Sequence, residues 1–212
     1  MTPSSSAEHV VIIGGGATSA LIAVRLAERG FRVTVLEKAQ LGNGSSSRSA
    51  AGIRAQFSTE ETVVGMQYSE WWYSHFHDLL HSPVDVRQQP VMRQNGYLFL
   101  YETPTAIPVW QPRRQHELAQ VWQHAQTAAT MQQHLGLPVE ILTPQHVQER
   151  WPFLSPDRLI GATWCPTDGF LLPHMIYSEG FRRAEELGVR VQQHTEVLGA
   201  TLQADRIRAL VT

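Results

Sequence analysis

The sequence predicts an α/β fold: a parallel β-α-β unit at its start, a mixed α+β stretch in its middle, and a return to helix and strand at its end. Three observations carry this. The β-branched run His9–Ile13 leads directly into Gly14-Gly15-Gly16 and then into a helical stripe of Ala20, Ala23, Val24 and Ala27. A second β-forming run, Phe31–Leu36, closes a unit over Val10–Glu37, near the ~30 residues that β-α-β takes. The middle then alternates helical spacing with strand-like runs.

The first strand, short and β-branched, reads as buried on both faces. Its helix stops at Gly30, a natural C-cap. Leu41–Ala55 is rich in Gly and Ser, too short for a flexible linker and too rich in hydroxyls for core. From Glu60 to Leu80, Val64, Tyr68, Trp71, Trp72 and Leu79 recur at helical spacing, so their face is expected to be core, with His75 packed beside them. Gly96–Tyr101 reads as strand and the proline-rich Pro104–Pro112 as loop. Glu117–Leu135 is expected to be helical with Leu118, Val121, Trp122 and Ala125 on one face. Thr143 caps a short helix with Pro144 at its first position. Ile176–Leu187 is helix, Val189–Val191 strand, and Glu196–Leu202 with Arg206–Val211 a hairpin turning at Ala204-Asp205. Thr2–Ala7, small and polar, reads as a frayed leader.

Composition narrows the function. The chain has 212 residues, 42% apolar and 17% charged, which excludes disorder. A globular chain this long buries roughly 70% of its unfolded surface. A net charge of −2 argues against a nucleic-acid partner, which would want a basic surplus. The early apolar run Val10–Ile13 falls far short of the ~20 residues of a membrane span. The lone Cys165 excludes an internal disulfide and suits a reducing compartment, so a cytoplasmic setting is expected. Without a partner thiol or adjacent base, Cys165 reads as inert. His77 and His81 stand four apart, but with no further ligand pattern they read as a solvated face, and no metal is expected.

Two motifs carry chemistry. The first is Gly14-Gly15-Gly16-Ala17-Thr18-Ser19 between strand and helix. Gly14 allows the tight turn, Gly16 lets backbone approach a pyrophosphate, and the helix N-terminus adds free N–H groups and a positive dipole end. Ser19 stands where close packing usually wants Gly or Ala, so weakened rather than abolished binding is expected. Glu37 ends the next strand 21 residues after Gly16, placed to accept from ribose hydroxyls and to repel a 2′-phosphate. This spacing defines a Rossmann-like dinucleotide site. The plain alternative is a glycine-rich turn with no ligand. The second motif is Gly42–Ile53, whose small residues let chain pass close to a planar ring and whose hydroxyls and Arg48 suit phosphate and ribityl oxygens. Its alternative is a flexible surface loop.

The segment VVIIGGGATSALIAVRLAERGFRVTVLEK, with GSSSRSAAGIRAQFS, NGYLFL and TDGFLLPHMIYSEGFRRAEELGVRV, resembles the FAD-dependent amine and amino-acid oxidoreductases: D-amino-acid and glycine oxidases and the sarcosine oxidase β-like proteins. The resemblance implies a Rossmann-like FAD-binding domain of the glutathione-reductase-like variant over 1–59 and 159–212. A substrate-side α+β domain is inserted over 60–158. Relatives are nearly twice as long, so it also implies a chain incomplete at its C-terminus, holding the ADP-binding half with an open pocket and an exposed sheet edge. A partner chain could supply the rest.

By the same resemblance Gly14, Gly15, Gly16, Ala17, Thr18 and Ser19 face the pyrophosphate, and Glu37 and Lys38 the adenosine ribose. Ser46, Ser47, Arg48, Gly52 and Ile53 line the way to the flavin, and Val197 lends backbone to the adenine edge. Some relatives attach flavin through a His in the second loop. Arg48 and Ser49 stand there instead, so FAD is expected to bind non-covalently. The implied reaction moves a hydride from the carbon beside a substrate nitrogen to flavin N5, giving an imine that water hydrolyses. It needs an amine or amino-acid substrate and an electron acceptor, O2 or a redox partner. Arg54 and Arg93 are candidates for a substrate carboxylate and His174 for a substrate contact, each equally an ordinary surface or capping residue. Two other readings stay open: a flavin-domain binding or assembly factor, and a non-catalytic fragment or subunit of a split enzyme. NAD remains an alternative cofactor, because the glycine turn and Glu37 serve both.

Overall fold

The computed structural model describes residues 8–212 apart from 107, 109 and 205, so the Thr2–Ala7 leader and the Asp205 turn position lie outside the described residues. In chain order the elements are β1 (His9–Ile13), α1 (Ala17–Glu28), β2 (Arg32–Leu36), β3 (Gly52–Ile53), α2 (Glu60–Ser74), α3 (Phe76–Leu79), β4 (Met92–Arg93), β5 (Tyr97–Glu102), α4 (Pro112–His134), β6 (Glu140–Leu142), α5 (Pro144–Arg150), β7 (Leu159–Cys165), β8 (Gly169–Leu171), α6 (Pro173–Glu186), β9 (Arg190–Gln192), β10 (Gly199–Gln203) and β11 (Arg206–Val211). They form two compact units. Among the described residues the first comprises 8–51, 75–91 and 172–212; the second, 52–74 and 92–171.

The first unit is a parallel sheet in the order β1-β2-β9, with α1 packed on α6. β2 is central, which is why Val33, Val35 and Leu36 are buried. β1 is an end strand of this sheet, so it is only half-buried and Ile13 is 61% exposed, contrary to the expectation of burial on both faces. On α1, Ala20, Ala23 and Val24 are buried as the stripe predicts. Gly180 of α6 lets the two helices approach, because a Cβ there would stand 2.8 Å from the Ala20 Cβ. β10 and β11 pair as the expected antiparallel hairpin, with a register shift after Thr201.

The second unit holds two antiparallel sheets, β5-β7-β6 and β3-β8-β4. One core cluster gathers Ala55, Ala129, Leu137, Val139 and Cys165; another gathers Leu142, Val147 and Ala162 under Trp151 and Trp164. α5 is capped as expected, the Thr143 hydroxyl accepting from the His146 N–H at 3.3 Å. The central strand β7 escaped the sequence reading.

Several particulars differ from expectation. The Glu60–Leu80 run divides into α2 and α3, and α2 turns Val63 and Glu70 inward while Val64, Tyr68 and Trp71 are exposed. Tyr68 and Trp71 stack on each other at 5.8 Å. His75 is exposed rather than packed. On α4, Val121 is 50% exposed, and Ala129 and Gln132 carry the buried face further along. His81 lies beyond α3 in a left-handed conformation, so it shares no helix face with His77, whose Nε2 meets the Gln89 carbonyl at 2.8 Å. The compact units also depart from the expected domain bounds: residues 52–59 and 159–171 fall in the second unit and 75–91 in the first.

Candidate functional site

At the carboxyl ends of β1 and β2 the first unit opens a cleft of about 870 Å³. It is lined by Gly14, Glu37, Lys38, Arg48, Val197 and their neighbours. Clefts of ~300–1,000 Å³ at this end of a parallel sheet are the usual small-molecule sites of α/β folds. Local geometry builds the cleft. Gly14 has φ +103°, which favours glycine, and its N–H returns to the Leu36 carbonyl at 2.8 Å. Gly15 is buried with no room for a side chain, a Cβ there falling 2.7 Å from Leu41 Cδ2 and 3.0 Å from Glu37 Cβ. The Glu37 side chain is oriented from both sides: Oε2 accepts the Gly15 N–H and Oε1 the Ala39 N–H, each at 2.7 Å. Each oxygen keeps a further lone pair for a ligand hydroxyl.

Gly16, the N-cap of α1, has no side chain to cap it, and no acid stands in the first turn, so the dipole end carries no negative charge of its own. Ser46 reaches back 29 residues and accepts the Ala17 N–H at 3.0 Å. Its hydroxyl would stand 3.0 Å from a Cβ on Gly16, so this glycine makes room for Ser46 as well as for any ligand. Ser47 donates to the Gly44 carbonyl at 3.2 Å. Val197 arrives because the segment after β9 is sewn to the end of β2: Glu37 N–H to the Gln192 carbonyl, Thr195 N–H to the Glu37 carbonyl, both 2.8 Å. Thr18 is exposed and Ser19 half-buried; neither lines the cleft. His174 is exposed in the first turn of α6.

Gly52, Ile53, Arg54 and Arg93 belong to the second unit. Gly52 lies against Tyr97, whose hydroxyl leaves no room for a Cβ, and Ile53 is buried. Arg93 is exposed on β4. Arg54 is half-buried, its guanidinium 4.8 Å from the Phe57 ring and 4.9 Å from the Phe99 ring. It lines a pocket of about 260 Å³ with Gln56, Ser58, Tyr101, Gln132 and Thr163. Two aromatic faces make Arg54 a fixed cation rather than a loose surface charge.

The sequence reading missed a buried polar group in this unit. Asp168 is fully buried. Its Oδ1 accepts the Ala55 N–H and its Oδ2 the Gln56 Nε2 amide, both at 2.8 Å. Glu70 is buried too, and burial followed by the Asp168 charge pushes its pKa up to about 8. The one available signal was an acid inside a helical run otherwise read for its aromatics. Among the described residues no group of three or more His, Cys, Asp or Glu could hold a metal ion, and no helix is long and apolar enough to cross a membrane.

The parallel strand–glycine turn–helix unit, with an acid ending the second strand and no acid in the first turn of the helix, defines a nucleotide-binding domain of the Rossmann-like class. The family model for FAD dependent oxidoreductases (DAO) matches residues 9–212, and the chain belongs to that family, whose cofactor is FAD. It is similar to the glycine oxidase of Geobacillus kaustophilus, 27% identical over 193 residues, covering 89% of this chain and 46% of that protein. The crystal structure of L-proline dehydrogenase from P. horikoshii superposes with a TM-score of 0.71 at 31% identity, over 97% of this chain and 48% of that one. The mitochondrial pyruvate dehydrogenase phosphatase regulatory subunit of Mus musculus is 25% identical over 96% of this chain and 21% of its own length. The chain thus spans about half, or less, of the length of these relatives. The cleft fits the adenosine and pyrophosphate end of FAD: a glycine turn, an anion-ready helix start and a pre-oriented carboxyl group.

Proposed function

We propose that the chain binds FAD non-covalently through the first-unit cleft and serves the oxidation of an amino acid or secondary amine. The observation that carries this is Glu37, held by two backbone N–H groups at the lip of the cleft beside the glycine turn. Glu37 and Lys38 take the adenosine ribose. The Gly14–Ala17 turn with Arg48 takes the pyrophosphate, and Val197 the adenine edge. Bound FAD would supply the hydride acceptor, so that the substrate C–H beside nitrogen is oxidised to an imine, which water hydrolyses. Arg54 is the carboxylate donor this reading favours over Arg93 and His174, because its guanidinium is stacked at a pocket while those two are simply exposed. O2 or a redox partner accepts the electrons, and the single buried Cys165 suits the cytoplasm.

The test is anaerobic addition of sarcosine, proline and D-amino acids to the FAD-loaded protein while flavin absorbance is followed. Bleaching by at least one, slowed at least tenfold in Arg54→Lys, supports the reading. No bleaching with stoichiometric FAD removes it. That outcome favours a second reading, a flavin-domain binding or regulatory factor, which the similarity to a protein named as a regulatory subunit supports. Release of all flavin by acid precipitation checks the non-covalent attachment.

A further inference from the structure

Gln56 follows Arg54 by two residues and is buried, 8% exposed. Its side-chain amide is held in one orientation. Nε2 donates to Asp168 Oδ2 at 2.8 Å and to the Tyr97 carbonyl at 3.1 Å. Asp168 is anchored in turn, its Oδ1 accepting the Ala55 N–H at 2.8 Å. Both partners of Nε2 are acceptors, so an amide turned the other way would set oxygen against oxygen twice. The two protons of the NH2 group are thereby used. Oε1 is left buried, without a hydrogen-bond partner among the described residues. Native folds leave few buried carbonyls in that state, because the missing bond costs stability.

Where Gln56 stands says what that oxygen lacks. It lines the same pocket of about 260 Å³ as Arg54. Asp168 and Tyr97, which hold Nε2, do not line this pocket, so the oxygen is the amide atom turned from them and left to a ligand. Of the lining residues only Arg54 is charged; Ser58, Tyr101, Gln132 and Thr163 are neutral. The Gln132 amide is committed to the chain, donating to the Phe57 carbonyl at 2.7 Å. The pocket therefore offers one cationic donor, fixed against the Phe57 and Phe99 rings, and one fixed acceptor wanting an N–H. An α-amino acid carries the complementary pair, a carboxylate and an N–H group on one carbon. The volume lies below the ~300–1,000 Å³ of ordinary ligand pockets, which suits a ligand of few heavy atoms.

We propose that Gln56 Oε1 is a substrate-binding acceptor, taking an N–H from the amino group of a small primary or secondary α-amino acid whose carboxylate lies on Arg54. The two-point hold rests on the carboxylate role proposed for Arg54; the Gln56 contact does not. Held at both neighbours, the carbon between them is fixed in place, and compounds without an N–H are discriminated against because they leave the Gln56 oxygen unpaired.

The experiment compares three compounds of one shape: 2-aminoisobutyrate, pivalate, which has a methyl group in place of the amine, and tert-butylamine, which has one in place of the carboxylate. None has a C–H beside nitrogen that flavin could oxidise at the central carbon, so binding to the FAD-loaded protein is read without turnover. Affinities come from calorimetry, and the carbon-13 signal of the Gln56 side-chain carbonyl is followed by NMR. In wild type, 2-aminoisobutyrate should bind roughly tenfold or more tightly than pivalate and move the Gln56 signal, which pivalate leaves in place. In Gln56→Leu the affinity ratio should fall to about one. Equal affinities in wild type, or a Gln56 signal unmoved by bound 2-aminoisobutyrate, overturns the proposal while leaving the Arg54 role standing. If Gln56→Leu does not fold, the wild-type affinities and carbonyl signal decide alone. Binding of tert-butylamine as tight as that of 2-aminoisobutyrate, with the Gln56 signal moved, removes the Arg54 carboxylate role and leaves the Gln56 contact standing. No binding of any of the three overturns both.

Discussion

The two units solve the same problem, holding a polar group in place, by opposite means. In the first, Glu37 is fixed by backbone N–H groups from its own strand end and from the glycine turn 22 residues away, at the lip of an open cleft. In the second, Asp168 is buried completely and holds partners 112 and 113 residues distant. The first arrangement is local and solvated, so a ligand can join it cheaply. The second is desolvated and cooperative, so each member depends on the others.

Perturbation of the buried arrangement should cost most. Asp168→Ala strips two buried donors of their acceptor, each worth about 1–3 kcal/mol when left unsatisfied. Denaturant unfolding should show the lost stability directly, and near-wild-type stability would refute the buried role. Next comes Glu37→Ala. A hydrogen bond to a charged group contributes about 1.5–3 kcal/mol, so FAD affinity should fall roughly ten- to a hundredfold in a fluorescence titration, with little change in unfolding midpoint.

A subtler distinction is pH. The Glu70 pKa is raised from 4.5 to about 8 in the folded chain, so the fold holds this proton more tightly than the unfolded chain does. Its stabilising contribution is full below pH 4.5, declines as pH rises from there, and is gone above about 8. Melting temperature should therefore drop over that window more steeply in wild type than in Glu70→Gln. Superimposable profiles would mean the acid is not protonated. The smallest effect is local: Thr143→Ala removes the cap of α5 and should cost about 1 kcal/mol.

This contrast also explains what could be read from sequence. The strand–turn–helix–strand of the first unit is contiguous, and each of its glycines and its acid follows a local rule, so Gly14, Glu37, Lys38 and Arg48 were legible before any coordinates. Val197 reaches the cleft through backbone bonds between β2 and the segment after β9, visible only through resemblance to relatives. In the second unit the helical period of α2 was right and its phase wrong. The aromatics Tyr68 and Trp71 looked like core, whereas the inward positions are Val63 and the acid Glu70. Asp168, whose charge acts on Glu70, lies nearly a hundred residues on, and no local pattern announces such a neighbour. Strand β7 was missed because Gly161 breaks its β-forming run; that glycine gives way to Trp122, whose ring would stand 2.5 Å from a Cβ there.

The central claim is that residues of the first unit alone hold the adenosine and pyrophosphate end of FAD. The most direct measurement is calorimetric titration of the purified protein with FAD and with ADP, repeated on Glu37→Ala. The account predicts that both ligands bind, that ADP displaces FAD, and that Glu37→Ala weakens the two by the same roughly ten- to hundredfold factor. Failure of ADP to compete with bound FAD, or unchanged affinities in Glu37→Ala, would contradict it.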